Sequence, residues 1–172
     1  VQWPGNPIGL QETTEQLLQY ASSVGGQSSI DPQTKFDIFT TANIAIDSLL
    51  LSRPNDARLE LFAATFLSQF GQTGSALEHL KKALEDSPRK QQIQIQMGLT
   101  LIQAGDAQEG LTYLKGAYEA ATDNEIALVF YAVGLYYAGQ SSEADKLLAK
   151  HFGSAAVDNT QLMQVYMNLK LY

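Results

Sequence analysis

His79 and His151 are the only imidazoles in a chain of 172 residues that contains no cysteine. The missing thiol excludes disulfides, thiolate metal sites and a cysteine nucleophile. A metal site on a helix needs a second histidine or a carboxylate three or four residues on. His79 is followed there by Lys82 and Ala83, and His151 by Ser154 and Ala155. His79 therefore reads as an exposed helix residue and His151 as one that packs poorly. Glu12, Glu15, Glu60, Glu78, Glu85, Glu109, Glu119 and Glu143 are spread along the chain and read as solvated helix faces. General acid–base work needs carboxylates that converge in an apolar setting, and nothing in this spacing requires it. No Ser–His–Asp set follows from spacing either. The glycines are too far apart, and lack the lysine, for a phosphate-cradling loop. The reading is a protein without catalytic residues, metal ligands or cofactor.

Composition narrows the partners. The net charge is −7, from 11 basic and 18 acidic residues. Phosphate backbones are gripped by clustered Lys and Arg. The nearest such cluster, Lys81–Lys82 with Arg89–Lys90, is interleaved with Glu78, Glu85 and Asp86. Nucleic acid is not an expected partner. No run of about 18 apolar residues is present, so membrane insertion of this chain is not expected. No basic stretch leads into an apolar one, as a signal peptide would require. The first residue is Val1, which suggests an excised domain or a processed product.

Beyond single residues, a period dominates the chain. Gly71, Gly105 and Gly139 are 34 residues apart, and Leu67, Leu101, Leu135 and Leu169 keep the same interval. So do Ala64, Gly98 and Ala132, and Leu80, Leu114 and Leu148. Each copy reads helix–turn–helix, the pattern of a helical solenoid. The copies are 57–90, 91–124 and 125–158. Within 57–90 the expected helices are Ala57–Phe70, capped by Asp56, and about Thr73–Asp86. Gly71 joins them in a conformation that side chains resist. Ala76 and Ala83, then Gly110 and Ala117, then Ala144, are small where paired helices approach. His151 breaks that series, and Gly153–Ser154 predict an early end to its helix.

The flanks are less regular. Residues 1–11 read as an extended lead-in, with two prolines and two glycines in the first ten. Trp3 either folds back onto the first helices or stands as an exposed anchor. Residues 12–56 form a degenerate pair of helices. The first, Glu12–Val24, is stopped by Gly25–Gly26. The second runs from about Pro32 to Leu51, with Asp31 as cap and Pro32 at its first position. Phe36, Phe39, Ile44, Ile46, Leu49 and Leu50 give it a broad apolar surface. Residues 159–172 are a single helix with Leu162, Val165, Tyr166 and Leu169 on its apolar face. It is a cap or a truncated repeat. Leu169, Leu171 and Tyr172 are not the polar face a terminal repeat usually shows, which makes this helix a candidate surface for self-association.

The repeats resemble the tetratricopeptide repeat (TPR). Ala57–Lys90 matches that pattern at Ala64, Leu67, Gly71, Ala76, Leu80, Ala83 and Pro88. It departs at the fourth position, where the family's Trp is replaced by Glu60, Gln94 and Leu128. The resemblance covers roughly two thirds of the chain. It implies an all-α fold, a right-handed α-solenoid of helical hairpins, and a scaffold for protein–protein interaction. It also implies that fixed positions of each first helix line a concave groove. These are Phe62, Thr65 and Gln69, with Arg58, Leu61 and Ser68, in the first copy. Gln92, Gln96, Leu99 and Gln103 follow, with Ile95 and Ile102; then Phe130, Val133 and Tyr137, with Ile126, Val129 and Tyr136; then Met163, Gln164 and Met167. Relatives that clamp a peptide carboxylate carry Lys, Arg and Asn at these places. Here they are mostly apolar, with Gln, so a carboxylate clamp is not expected. Either the groove accepts a protein or peptide with an apolar segment, or the terminal helices fold across it and it is core.

A second resemblance is narrower. NPIGLQETTEQLLQYAS, a helix ending in RPNDAR, and TPR repeats after them are similar to the soluble C-terminal tail of bacterial O-antigen ligase-like membrane proteins. This implies an extracytoplasmic accessory domain of a glycosyl-transferring enzyme. Without it the expectation is a cytoplasmic scaffold, one domain of a larger bacterial protein.

Overall fold

The computed structural model describes residues 7–25 and 27–169. The expectations for Trp3, Gly26 and residues 170–172 lie outside them. Every regular element among the described residues is an α-helix. The chain divides into two compact units, Val1–Asp86 and Ser87–Tyr172.

The first unit holds α1 (Pro7–Gly25), α2 (Pro32–Ser52), α3 (Ala57–Gln69) and α4 (Thr73–Asp86). α1 begins at Pro7, inside the stretch read as an extended lead-in. Proline suits the first turn of a helix, because its fixed φ is helical and the amide it lacks would have no partner there. α2 starts as expected. Asp31 accepts a hydrogen bond from the Thr34 amide at 3.0 Å, and Pro32 follows it. Ala42, Ala45, Ile46 and Leu49 bury one face of α2, whereas Phe36 and Ile44 are 62% and 60% exposed. Only part of the broad apolar surface expected there is core. Phe39, Phe66 and Phe70 form an aromatic cluster with centroids 4.9 to 5.6 Å apart. Such contacts add to plain burial of the rings.

The second unit holds α5 (Gln91–Ala104), α6 (Ala107–Ala120), α7 (Glu125–Tyr137), α8 (Ser141–Phe152) and α9 (Thr160–Leu169). Its core gathers Leu128, Ala132, Leu135, Ala144, Leu148, Leu162 and Val165, each no more than 2% exposed. α8 has 12 residues where α4 and α6 have 14. It stops at Gly153, which takes φ +79°, the early end that Gly153–Ser154 predict.

One turn explains why leucine and glycine share the period. Gly71, Gly105 and Gly139 have φ of +71°, +99° and +77°. The amides of Gln72, Asp106 and Gln140, each just after the glycine, donate to the carbonyls of Leu67, Leu101 and Leu135 at 2.8 to 2.9 Å. This is the six-to-one bond of the Schellman helix end, which requires a left-handed residue between. The hairpins then close on small residues. Ala64 and Ala76, and Ala132 and Ala144, are fully buried. In the middle hairpin the matching pair is Gly98 and Gly110. A Cβ on Gly98 would lie 2.8 Å from the Gly110 carbonyl oxygen, and one on Gly110 would lie 2.6 Å from that of Gly98.

Two expectations about single residues are corrected. His79 is not exposed: its side chain is 17% accessible, and its Nδ1 is 2.6 Å from Oε2 of Glu60. Glu60 is not on a solvated face but is buried. It occupies a position that faces the paired helix, and a buried carboxylate needs a partner.

Candidate functional site

The first helices of the second unit's hairpins differ in chemistry from the second helices. α5 and α9 contain no Asp, Glu, Lys, Arg or His, and α7 contains Glu125 alone, at its first residue. Its carboxylate lies 3.5 Å from the His151 ring. α6 carries Glu109, Lys115 and Glu119, and α8 carries Glu143, Asp145, Lys146, Lys150 and His151. Apart from Glu125, charge in these hairpins is thus carried by the second helices.

α5, α7 and α9 surround an open cavity of about 500 Å³. Its lining is Leu99, Ile102 and Gln103 from α5, Phe130, Val133 and Tyr137 from α7, and Thr160, Gln161, Gln164 and Val165 from α9. The apolar floor is flanked by amides. Val133 is buried, Leu99, Phe130 and Tyr137 are half-buried, and Gln103, Gln161 and Gln164 are exposed. α9 packs on α7 but leaves this space open.

Of the sequence candidates, Leu99, Ile102, Gln103, Phe130, Val133, Tyr137 and Gln164 are brought together here. Gln92 and Gln96 lie on α5 outside the lining; Gln96 donates to the Thr100 hydroxyl at 3.5 Å. Met163 and Met167 are 51% and 58% exposed on α9 and do not line the cavity. Phe62, Thr65 and Gln69 belong to the first unit. Phe62 and Thr65 are half-buried, the Thr65 hydroxyl donating to the Leu61 carbonyl. Gln69 is exposed and accepts from the Ser22 hydroxyl at 2.7 Å. Thr160, Gln161 and Val165 join the lining and are not among the sequence candidates. Counting the period on from Glu125 puts Thr160 at the second repeat position, a signal that reaches it. Gln161 and Val165 depend on how α9 is turned about its axis.

Hydrogen bonds hold the walls in place. Asn159 caps α9, accepting from the amides of Gln161 and Leu162. Asn168 of α9 donates to the Tyr137 hydroxyl at 3.0 Å. The Tyr136 hydroxyl donates to the Asp145 carboxylate at 2.6 Å and lies 3.3 Å from the Tyr166 hydroxyl. Tyr166 in turn donates to the Ala155 carbonyl. Burial, reinforced by the bond to Asp145, pushes the Tyr136 hydroxyl far above the titration range of a free phenol. Asn124 caps α7 through the amides of Ile126 and Ala127, and donates to Gln91, which donates to the Ala117 carbonyl. Among the described residues no group of three or more His, Asp or Glu is placed to hold a metal ion. No described helix is long and apolar enough to cross a membrane.

Solved structures with the same build include TPR proteins, in keeping with an α-solenoid of helical hairpins. A tetratricopeptide repeat protein from Parabacteroides merdae matches with TM-score 0.65 and 16% identity, over 96% of this chain and 64% of its own. YrrB, described as a TPR protein with an unusual peptide-binding site, matches with TM-score 0.61 and 19% identity, over 76% of this chain and 67% of its own. The O-GlcNAc transferase of Thermobaculum terrenum matches with TM-score 0.59 and 19% identity, over 83% of this chain; the match spans about a quarter, 26%, of the transferase. No protein-family model and no curated protein matches the chain.

Proposed function

We propose that the chain is a non-catalytic interaction module whose second unit docks an apolar segment of a protein or peptide in the cavity between α5, α7 and α9. The observation that carries this is the cavity itself: apolar at its floor, amide-bearing at its sides, and open. Recognition sites are mostly apolar with a few polar groups that fix orientation. The fold shared with YrrB, which has a peptide-binding site, supports the reading. The test combines selection from a displayed random-peptide library with the variants Phe130→Ser and Tyr137→Ser. Lost capture of selected peptides with an unchanged melting temperature supports docking. A large loss of melting temperature, with capture unaffected, identifies the cavity as core and overturns it.

A second reading places the chain as an extracytoplasmic accessory domain of an O-antigen ligase-like enzyme. In its favour, the two stretches that carry that resemblance are tied together, Arg53 donating to Gln11 at 2.6 Å. About ten apolar segments encoded upstream in the parent gene support it; further repeats there favour a free scaffold. Met163 and Met167, exposed one turn apart on α9, offer a face through which self-association would run. Sedimentation across a wide concentration range tests that.

A further inference from the structure

We infer that the segment docked by this unit carries a lysine or arginine, whose side chain enters a second cavity beside the starts of α7 and α9. This rests on the docking reading above and goes further, to the charge of the bound segment. The second cavity has a volume of about 360 Å³, at the small end of the range for ligand sites. Phe130 and Gln161 line it as well as the first cavity, so a chain seated in one reaches the other.

Its walls are of two kinds. Ile126, Val129, Phe130, Phe152 and Val157 are apolar, and Glu125 and Asp158 bring carboxylates. Asp158 is exposed and has no hydrogen bond or ion pair among the described residues. Glu125 meets the His151 ring through Oε1 at 3.5 Å, a long contact, and its side chain is 69% accessible. A carboxylate can accept several donors, so both acids can take a further one. The N-terminal ends of α7 and α9 act in the opposite sense, each worth roughly half a positive charge. Together they offset about one carboxylate, and the cavity stays negative.

One class of occupant suits both kinds of wall. An anion is repelled. A purely apolar group would strip water from the carboxylates and return nothing. A bare metal ion needs more oxygen ligands than this, and among the described residues no three His, Asp or Glu converge. A lysine or arginine lays its stem on apolar atoms and keeps its charged head at the carboxylates. Aromatic faces add to the hold on a cation. The net charge of −7 favours a basic partner as well. The first cavity has no Asp, Glu, Lys, Arg or His in its lining, so the basic residue belongs at one end of the segment and not in its middle.

The test begins with the displayed peptide library, selected on the whole chain. The expected binders carry an apolar run with lysine or arginine at one fixed end. One such peptide is synthesised with both termini blocked, beside a copy in which norleucine replaces the basic residue. By calorimetry the neutral copy is expected to bind about five-fold more weakly. Raising salt from about 0.05 M to about 0.5 M is expected to weaken the basic peptide about three-fold and to leave the neutral one unchanged. Asp158→Asn, at an exposed side chain, is expected to weaken the basic peptide about three-fold at unchanged melting temperature, with no effect on the neutral one. Glu125→Gln is the second variant, with the same selective loss expected. Binders without a basic residue at a fixed place, equal affinity of the two peptides, or no selective loss from either substitution would each overturn this inference and leave the docking reading standing. A library that yields no binder overturns the docking reading, and this inference with it.

Discussion

The imidazole Nδ1 of His79 on α4 lies 2.6 Å from the carboxylate Oε2 of Glu60 on α3, and both side chains are largely shielded from water. A pair across a hairpin interface behaves differently from one on the surface. Removing one partner leaves the other buried and unpaired. His79→Ala and Glu60→Ala should therefore each cost about 1–3 kcal/mol. The double variant should cost less than the sum of the two. Urea unfolding of the four proteins reads this directly, and strict additivity would show that the contact contributes nothing of its own.

Gly98 and Gly74 both lie in helices but have opposite surroundings. A Cβ on Gly98 would stand 2.5 Å from Cγ of Leu114 as well as against the Gly110 carbonyl, whereas one on Gly74 meets nothing within 4 Å. Gly98→Ala should destabilise by about 1–3 kcal/mol through overpacking. Gly74→Ala should stabilise by up to about 1 kcal/mol, since alanine has less chain entropy to lose. The two melting temperatures should move in opposite directions.

Tyr136 supplies a prediction in alkali. Its hydroxyl is held protonated in the folded state by burial and by the bond to Asp145, while in the unfolded chain it ionises near pH 10. The folded pKa is the higher one. Its contribution is therefore complete below pH 10 and is lost as pH rises above it. Wild type should lose stability above pH 10 more steeply than Tyr136→Phe. Denaturant midpoints across that range check it, and parallel curves would count against the assignment.

Asn124 joins three elements with one side chain. It caps α7 through two amides and donates to Gln91 at the start of α5, which reaches the end of α6. Asn124→Ala should cost about 1–2 kcal/mol. Asn124→Asp retains the cap acceptor but loses the donor to Gln91, so it should fall between wild type and alanine. Thermal melts rank the three.

The helical register was legible because two signals reinforce each other. Leu67, Leu101 and Leu135 recur with their glycines, and the turn bonds the residue after each glycine to that leucine. Local chemistry of that kind is written within six residues. The pairing of Glu60 with His79 is not local: it spans 19 positions and two helices. A hint was present, because Glu60 stands where the TPR pattern places a large buried residue, and a carboxylate there demands a partner. Seven cavity residues are groove positions named from the repeat, whereas Gln161 and Val165 depend on the rotation of α9. The start of α1 at Pro7 was hidden because proline and glycine together read as loop, although proline also opens helices.

The glycine contact of the middle hairpin bears on how such a chain can diverge. Gly98 and Gly110 sit so close that their backbones occupy the room that Ala64 and Ala76 fill with methyl groups in the preceding copy. The small residues of the copies are therefore not interchangeable one at a time. Alanine at both Gly98 and Gly110, with the rest of the hairpin kept, would bring two methyl groups into a seam with no space for them, and would press on Leu114, which also abuts Gly134. Glycine at both places lets the backbones of α5 and α6 meet directly, so a change from glycine to alanine, favourable at an open helical position such as Gly74, is costly at this seam.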